Sequence, residues 1–259
     1  MKILALVSRE NTYQPHVYEQ LLKERRDEFI GIVTVPFVTK GKSTLGVVRF
    51  LFDLYGLLGF LRKTMQVCKN KLLDTASRYS AFQRCYSLKA VARKYDIPLF
   101  NVEDINSKET IQLLESLKPD LIISSQGHFL SERLRVIPQL GVINKHAGRL
   151  PKYRGVYPVF WAMLNNEKEV GVTIHYVNEI IDGGGILLQE VIPIENNDTF
   201  ESLYKKVIAL TPKLFIRTID MIRDGRVDIK KNNMSEATVF SYPSKEDISK
   251  LKNSGKKII

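Results

Sequence analysis

The stretch GVINKHAGRLPKYRG, residues 141–155, runs from an apolar strand into a polar and basic loop. Val142 and Ile143 read as strand interior, while Pro151 and Gly155 shape the next segment as loop rather than helix. If the strand persists far enough, its period-two alternation sends Asn144 and His146 to the same face. In open parallel sheets, ligands sit at the carboxyl ends of the strands. An amide and an imidazole at such an end therefore mark a place to look for chemistry.

Outward from this stretch, short apolar runs alternate with helical patterns. Strands are expected at Ile3–Val7, Ile30–Val35, Leu99–Val102, Leu121–Ser125 and Val142–Asn144, with helices at Val17–Arg26, Tyr86–Tyr95 and Lys108–Leu117. Continuous apolar strands alternating with helices predict an α/β fold, a Rossmann-like, mostly parallel twisted sheet with helices on both faces. Beyond the loop the pattern predicts a short helix at Pro158–Leu164, then strands Gly171–Val177 and Ile186–Ile194. A long helix extends from Thr199 to Arg223, capped by Asp198 or Thr199 and stopped at Gly225. The expected organisation is a catalytic domain over 1–225 and a short basic C-terminal extension over 226–259. Within the extension, Ser244 to Asp247 reads as a capping box.

A chain of 259 residues can bury one substantial core. Its 44% hydrophobic and 26% charged content belongs to a folded domain rather than a disordered one. Two cysteines, Cys68 and Cys85, build no disulfide framework and carry no metal-ligand spacing, so no metal is expected and a reducing cytoplasm is. Ser8-Arg9-Glu10 ends the first apolar run too early for a signal peptide. The formal charge of +11 suggests an anionic partner, which nucleic acid, acidic lipid and phosphorylated metabolites satisfy equally.

Residues 37–85 are too long for a simple crossover and are expected as a helical insertion. They contain LGVVRFLFDLYGLLGFL, residues 45–61, apolar nearly all round but carrying Arg49 and Asp53. The run is too short and too charged for a transmembrane segment. Packing on the body, a homodimer interface and a membrane-surface helix all remain open. Arg62, Lys63, Lys69 and Lys71 come directly after it.

The strand GVTIHYV carries His175, and NEIIDGGGILLQE places Asp182 before three glycines. Amide, imidazole and carboxylate are what acyl transfer to an amine needs. Attack on a carbonyl builds an oxyanion that Asn144 and a protonated His146 could stabilise. The amine sheds a proton that Asp182, directly or through water, could accept. By itself, His175 could equally be a core histidine bonded to backbone, and Asp-Gly-Gly a turn.

Residues 119–195 resemble the core of the folate-dependent formyltransferases, which act on glycinamide ribonucleotide, methionyl-tRNA or amino sugars. The matching segments are PDLIISSQGHFL, GVINKHAGRLPKYRGVYPVFWAML and GVTIHYVNEIIDGGGILLQE, in order and at matching spacing. The resemblance implies catalytic roles for Asn144, His146 and Asp182, and 10-formyltetrahydrofolate as formyl donor. It implies cofactor contacts from Gln126, Gly127, His128, Phe129 and Leu130, and from Val177, Ile180 and Ile181. Its strand histidine matches His175.

For the acceptor, the sequence departs from two branches. Residues 224–259 are too few for the β domain that grips tRNA, and LVSRENTYQPH after the first strand lacks the glycinamide-enzyme phosphate loop. The expected acceptor is therefore the amine of a nucleotide-linked amino sugar for surface polysaccharide, with no nucleic-acid partner. Arg9, Arg149, Lys152 and Arg154 are candidates for the diphosphate. Tyr13, Tyr153 and Tyr157 are candidates to stack on base or sugar, with His175 beside them. The alternative is a methionyl-tRNA formyltransferase-like enzyme.

Overall fold

The computed structural model describes residues 1–38, 43–76 and 85–259. In chain order, the first half comprises β1 (Ile3–Ser8), α1 (Gln14–Arg25), β2 (Phe29–Val35), α2 (Thr44–Ala76), α3 (Leu88–Lys94), β3 (Leu99–Asn101), α4 (Lys108–Leu117) and β4 (Leu121–Ser125). Then come α5 (Glu132–Arg135), β5 (Val142–His146), β6 (Arg154–Gly155), α6 (Pro158–Leu164), β7 (Glu169–Tyr176) and β8 (Ile186–Pro193). The chain ends with α7 (Phe200–Arg223), β9 (Val239–Phe240) and α8 (Lys245–Asn253).

Every residue of β1 is buried, so it occupies the interior of the sheet. Ile3, Ala5 and Val7 face one apolar cluster with α1, α3, α6 and α7, while Leu4 and Leu6 face a second with α4 and α5. This alternation is why helices cover both faces. The seven strands lie in the order β3-β2-β1-β4-β5-β7-β8. The first five run parallel, and β7 and β8 add antiparallel pairs. The expected mostly parallel α/β sheet is the sheet found.

The sequence expectation ends the fifth strand at Asn144, whereas β5 continues to His146. The cause is β7: Asn144 pairs with His175 and His146 with Thr173, so a partner strand supplies backbone bonds to the polar end. The single-turn helix α5 is too short to show a helical period, yet Ser131 caps it by accepting from the Leu134 N–H. At α7, Thr199 is the cap, and Asp198 instead accepts from Ser202 and Lys206.

Residues 226–259 pack on the body. Strand β9 pairs with β6, Trp161 stacks on Phe240 at 4.6 Å, and α8 lies against α2 and α6. This segment therefore braces the loop after β5.

The expected insertion at 37–85 falls partly outside the described residues. Most of its described part is the helical stretch Thr44–Ala76, broken at Gly56, where φ is +68°, the left-handed region glycine tolerates. Leu54 is fully buried and Leu58 is 81% exposed, so α2 is anchored through one face only. Leu54→Ala should cost about 2–5 kcal/mol of stability in a denaturant titration. Leu58→Ala should stay within about 0.5 kcal/mol of the parent. Equal effects would contradict this placement of α2.

Candidate active site

A cavity of about 600 Å³ opens at the carboxyl ends of β4 and β5, where open α/β sheets bind ligands. Cross-strand pairing sets its chemistry. Asn144 on β5 lies opposite His175 on β7, and their side chains approach to 3.4 Å, Nδ2 to Nε2. His146 lies two residues on, along the same face. The loop after β7 then brings Asp182 between the imidazoles, with Oδ2 at 3.5 Å from His146 Nδ1 and Oδ1 at 3.6 Å from His175 Nε2.

The loop is built to hold that carboxylate. Asp182 itself has φ +49°, and the Gly155 N–H donates to Oδ2 at 2.7 Å. Buried Asn232 donates to the carbonyls of Asp182 and Gly184, and Arg154 Nε donates to the Ile181 carbonyl at 2.6 Å. A Cβ at Gly184 would lie 1.8 Å from the Tyr176 carbonyl oxygen, so only glycine lets the chain turn back this tightly.

Hydrogen-bond partners assign the ring nitrogens. His146 Nε2 donates to the Tyr153 carbonyl at 2.7 Å, which leaves Nδ1 facing Asp182. His175 Nδ1 donates to the Tyr176 carbonyl, so Nε2 in the neutral ring accepts from Asn144. One amide N–H of Asn144 remains for the cavity, and its buried Oδ1 has no protein partner.

Burial pushes the His146 pKa below the ordinary imidazole value, although Asp182 pulls the other way. Burial therefore favours the neutral imidazole in the resting site, whereas the sequence reading invokes a protonated ring at the oxyanion. For Asp182, burial opposes ionisation, but the two imidazoles and the Gly155 N–H hold its carboxyl well below the usual range. The pair is thus a carboxylate beside an imidazole able to take one proton at Nδ1.

All eight positions matched to the cofactor segments, Gln126 to Leu130 with Val177, Ile180 and Ile181, line this cavity. Phe129, Ile180 and Ile181 are exposed there, an apolar surface suited to a flat ring. The expected acceptor residues divide. Tyr13, Tyr157 and His175 line the wall, whereas Arg9, Arg149, Lys152, Tyr153 and Arg154 do not.

Each absent side chain has a local partner. Arg9 pairs with Glu103 and the Val102 carbonyl, Arg149 with Glu169, and Lys152 approaches Glu167. The Tyr153 hydroxyl donates to Glu167, and Arg154 holds the Asp182 loop.

Among the described wall residues, Lys145 is the one lysine or arginine. Burial pushes its pKa down to about 8, and Nζ sits 5.9 Å from the Tyr204 ring centre. Sequence reasoning passes over Lys145, although a lysine flanked in a strand by two residues that share the other face is a local signal. It also misses Tyr55, Phe200, Tyr204 and Tyr242, which join Tyr13 and Tyr157 in an aromatic wall, and the carboxylate of Glu201 beside them. No local pattern marks these, because tertiary packing alone assembles them.

The profile of the formyl transferase family matches residues 62–219. A methionyl-tRNA formyltransferase of Kosmotoga olearia is 41% identical over 161 residues, 62% of this chain and 52% of that protein. The chain spans about half the length of the curated relatives it matches. Phosphoribosylglycinamide formyltransferase from Anaplasma phagocytophilum superposes with a TM-score of 0.61 at 17% identity, covering 93% of this chain and 98% of that one. An N-formyltransferase from Helicobacter canadensis, in complex with folinic acid and dTDP-3-aminofucose, gives 0.56 at 22% identity, covering 93% and 71%. At these identities the structural likeness bears on the fold, and it agrees with the sheet described above.

The electrostatics of the Asp182–His146 pair can be tested without any substrate. Asp182→Asn removes the charge that raises the His146 pKa, so that pKa should fall below its wild-type value in an NMR pH titration. An unchanged or higher value would contradict the arrangement.

Proposed function

From membership in the formyl transferase family, to which this chain belongs, we propose that the protein is a folate-dependent N-formyltransferase acting on a nucleotide-linked amino sugar. One observation carries the reading: Asn144, His146, His175 and Asp182 converge on the same cavity as every residue of the expected folate segments.

The wall fits a folate. Exposed Phe129, Ile180 and Ile181 offer an apolar platform, and Gln126 to Leu130 and Val177 would hold the ring beside it. When bound, 10-formyltetrahydrofolate supplies the formyl carbon. Asn144 presents its free amide N–H where negative charge develops on a carbonyl oxygen. The attacking amine must lose one proton; neutral His146 takes it at Nδ1 and would return it to the folate nitrogen whose bond to the formyl carbon breaks, so that tetrahydrofolate leaves. Asp182, 3.5 Å away and ionised, stabilises the imidazolium that results. His175 orients the Asn144 amide.

The acceptor side is aromatic with few charges. Tyr13, Tyr157, Tyr204 and Tyr242 offer faces for a base or sugar ring, and Lys145 offers a cation for phosphate. A concave aromatic wall of this kind suits a small molecule. The Helicobacter canadensis protein, which shares the fold, was crystallised with a nucleotide-linked amino sugar, and this supports the same class here. Identity of about two in five residues with a methionyl-tRNA formyltransferase favours the second reading, a charged tRNA acceptor.

Mass spectrometry of products from both acceptors, incubated with the donor, separates the readings. The expected result is a formyl adduct on an amino-sugar nucleotide and little on methionyl-tRNA; the reverse would overturn the assignment. His146→Ala and Asn144→Ala should each lower turnover by at least about a hundredfold. Lys145→Met should raise KM for the anionic acceptor and leave donor binding intact. Activity should rise with pH as the acceptor amine deprotonates. The limb belonging to His146 should lie below the ordinary imidazole range, because burial lowers that pKa and the neutral ring is the active form.

A further inference from the structure

Each half of α2 carries an apolar stripe that the body leaves uncovered. Before the Gly56 break, Leu45, Val48 and Phe52 recur at helical spacing on the side away from buried Phe50 and Leu54. After it, Leu58, Leu61, Met65 and Leu72 recur in the same way, and Leu58, Met65 and Leu72 are 81%, 71% and 72% exposed. The rings of Phe52 and Phe60 meet at 5.8 Å, joining the two halves across the break. A contiguous apolar surface of this extent marks an interaction site.

The charges beside the stripes identify the partner. At 100° per residue, Arg62 and Lys69 flank one edge of the second stripe and Lys71 the other, while Arg49 flanks the first. All four are exposed, and none has an ion-pair partner among the described residues. Lys252 and Lys257 come alongside Leu58 and Arg62 in a groove at the foot of the second stripe. Against these stand the helix's two carboxylates, Asp53 and Asp74, and Asp74 already accepts from Ser87.

We propose that the outward face of α2 docks on an anionic phospholipid membrane surface, with the helix lying in the interface. The apolar stripes would enter the boundary between headgroups and acyl chains, and the flanking cations would meet the phosphates. A second copy of the chain, the homodimer expected from the sequence, is a poorer complement. An isologous contact sets this face against itself, cations towards cations, in a chain whose net charge is already +11. No helix among the described residues is long and apolar enough to cross a membrane, so the face lies on the bilayer rather than through it. Tyr55 lines both the groove and the reaction cavity, so the docking face borders the site.

Flotation of the full chain with vesicles tests this directly. The chain should float with phosphatidylcholine–phosphatidylglycerol vesicles at least about tenfold more than with phosphatidylcholine alone. High salt should release most of it. The double variant Leu58→Asp, Met65→Asp should lose flotation and keep the parent's unfolding midpoint, because both side chains are exposed. Absence of flotation with the anionic vesicles would overturn the proposal. So would a sedimenting dimer that ignores vesicles and is dissociated by the double variant, since a second copy would then be the occupant.

Discussion

The carboxylate of Asp182, fixed between the imidazoles of His146 and His175, is the constraint on which the site depends. An ionised side chain this buried needs compensation; here the Gly155 N–H donates to it, and the two imidazoles lie 3.5 and 3.6 Å away, each able to pair with it once protonated. Its backbone is equally constrained. Asn232 grips the carbonyls on either side of Gly183, Arg154 grips the one before, and Gly184 turns back where no side chain fits. These contacts come from segments far apart in the chain, so the carboxylate's position is a property of the whole fold.

The sheet supplies the other half of the geometry. Antiparallel β7 beside parallel β5 makes Asn144 and His175 direct cross-strand neighbours, and it extends β5 far enough to carry His146. The packed segment 226–259 closes the arrangement from outside. It pairs β9 with β6 and stacks Phe240 on Tyr153 and Trp161, bracing the loop whose Tyr153 carbonyl holds His146.

The parallel half of the fold is legible in the sequence because strands buried on both faces must be continuous apolar runs, as Ile3–Val7 and Leu121–Ser125 are. Asn144, His146 and Asp182 are legible as an ordered motif. The surroundings of the basic residues are not legible, because charge and proximity in sequence do not say which carboxylate lies nearby in space. Arg149 finds Glu169, Arg9 finds Glu103, and Arg154 is consumed in holding the Asp182 loop. Tyr55, Tyr204, Tyr242 and Asn232 leave no trace in the sequence, since each reaches the site from an element whose local pattern reads only as helix or tail. The apolar run of α2 is visible, but which of its faces meets the body depends on the break at Gly56.

Turnover of Asp182→Asn with 10-formyltetrahydrofolate and a reactive amine tests the central claim most directly, read beside the affinity of the same variant for a non-reactive folate. The substitution keeps the side chain's shape and removes its charge. The account predicts a loss of turnover of at least about a hundredfold, with folate affinity held within about tenfold. Near-wild-type turnover in a variant that still binds folate would contradict it.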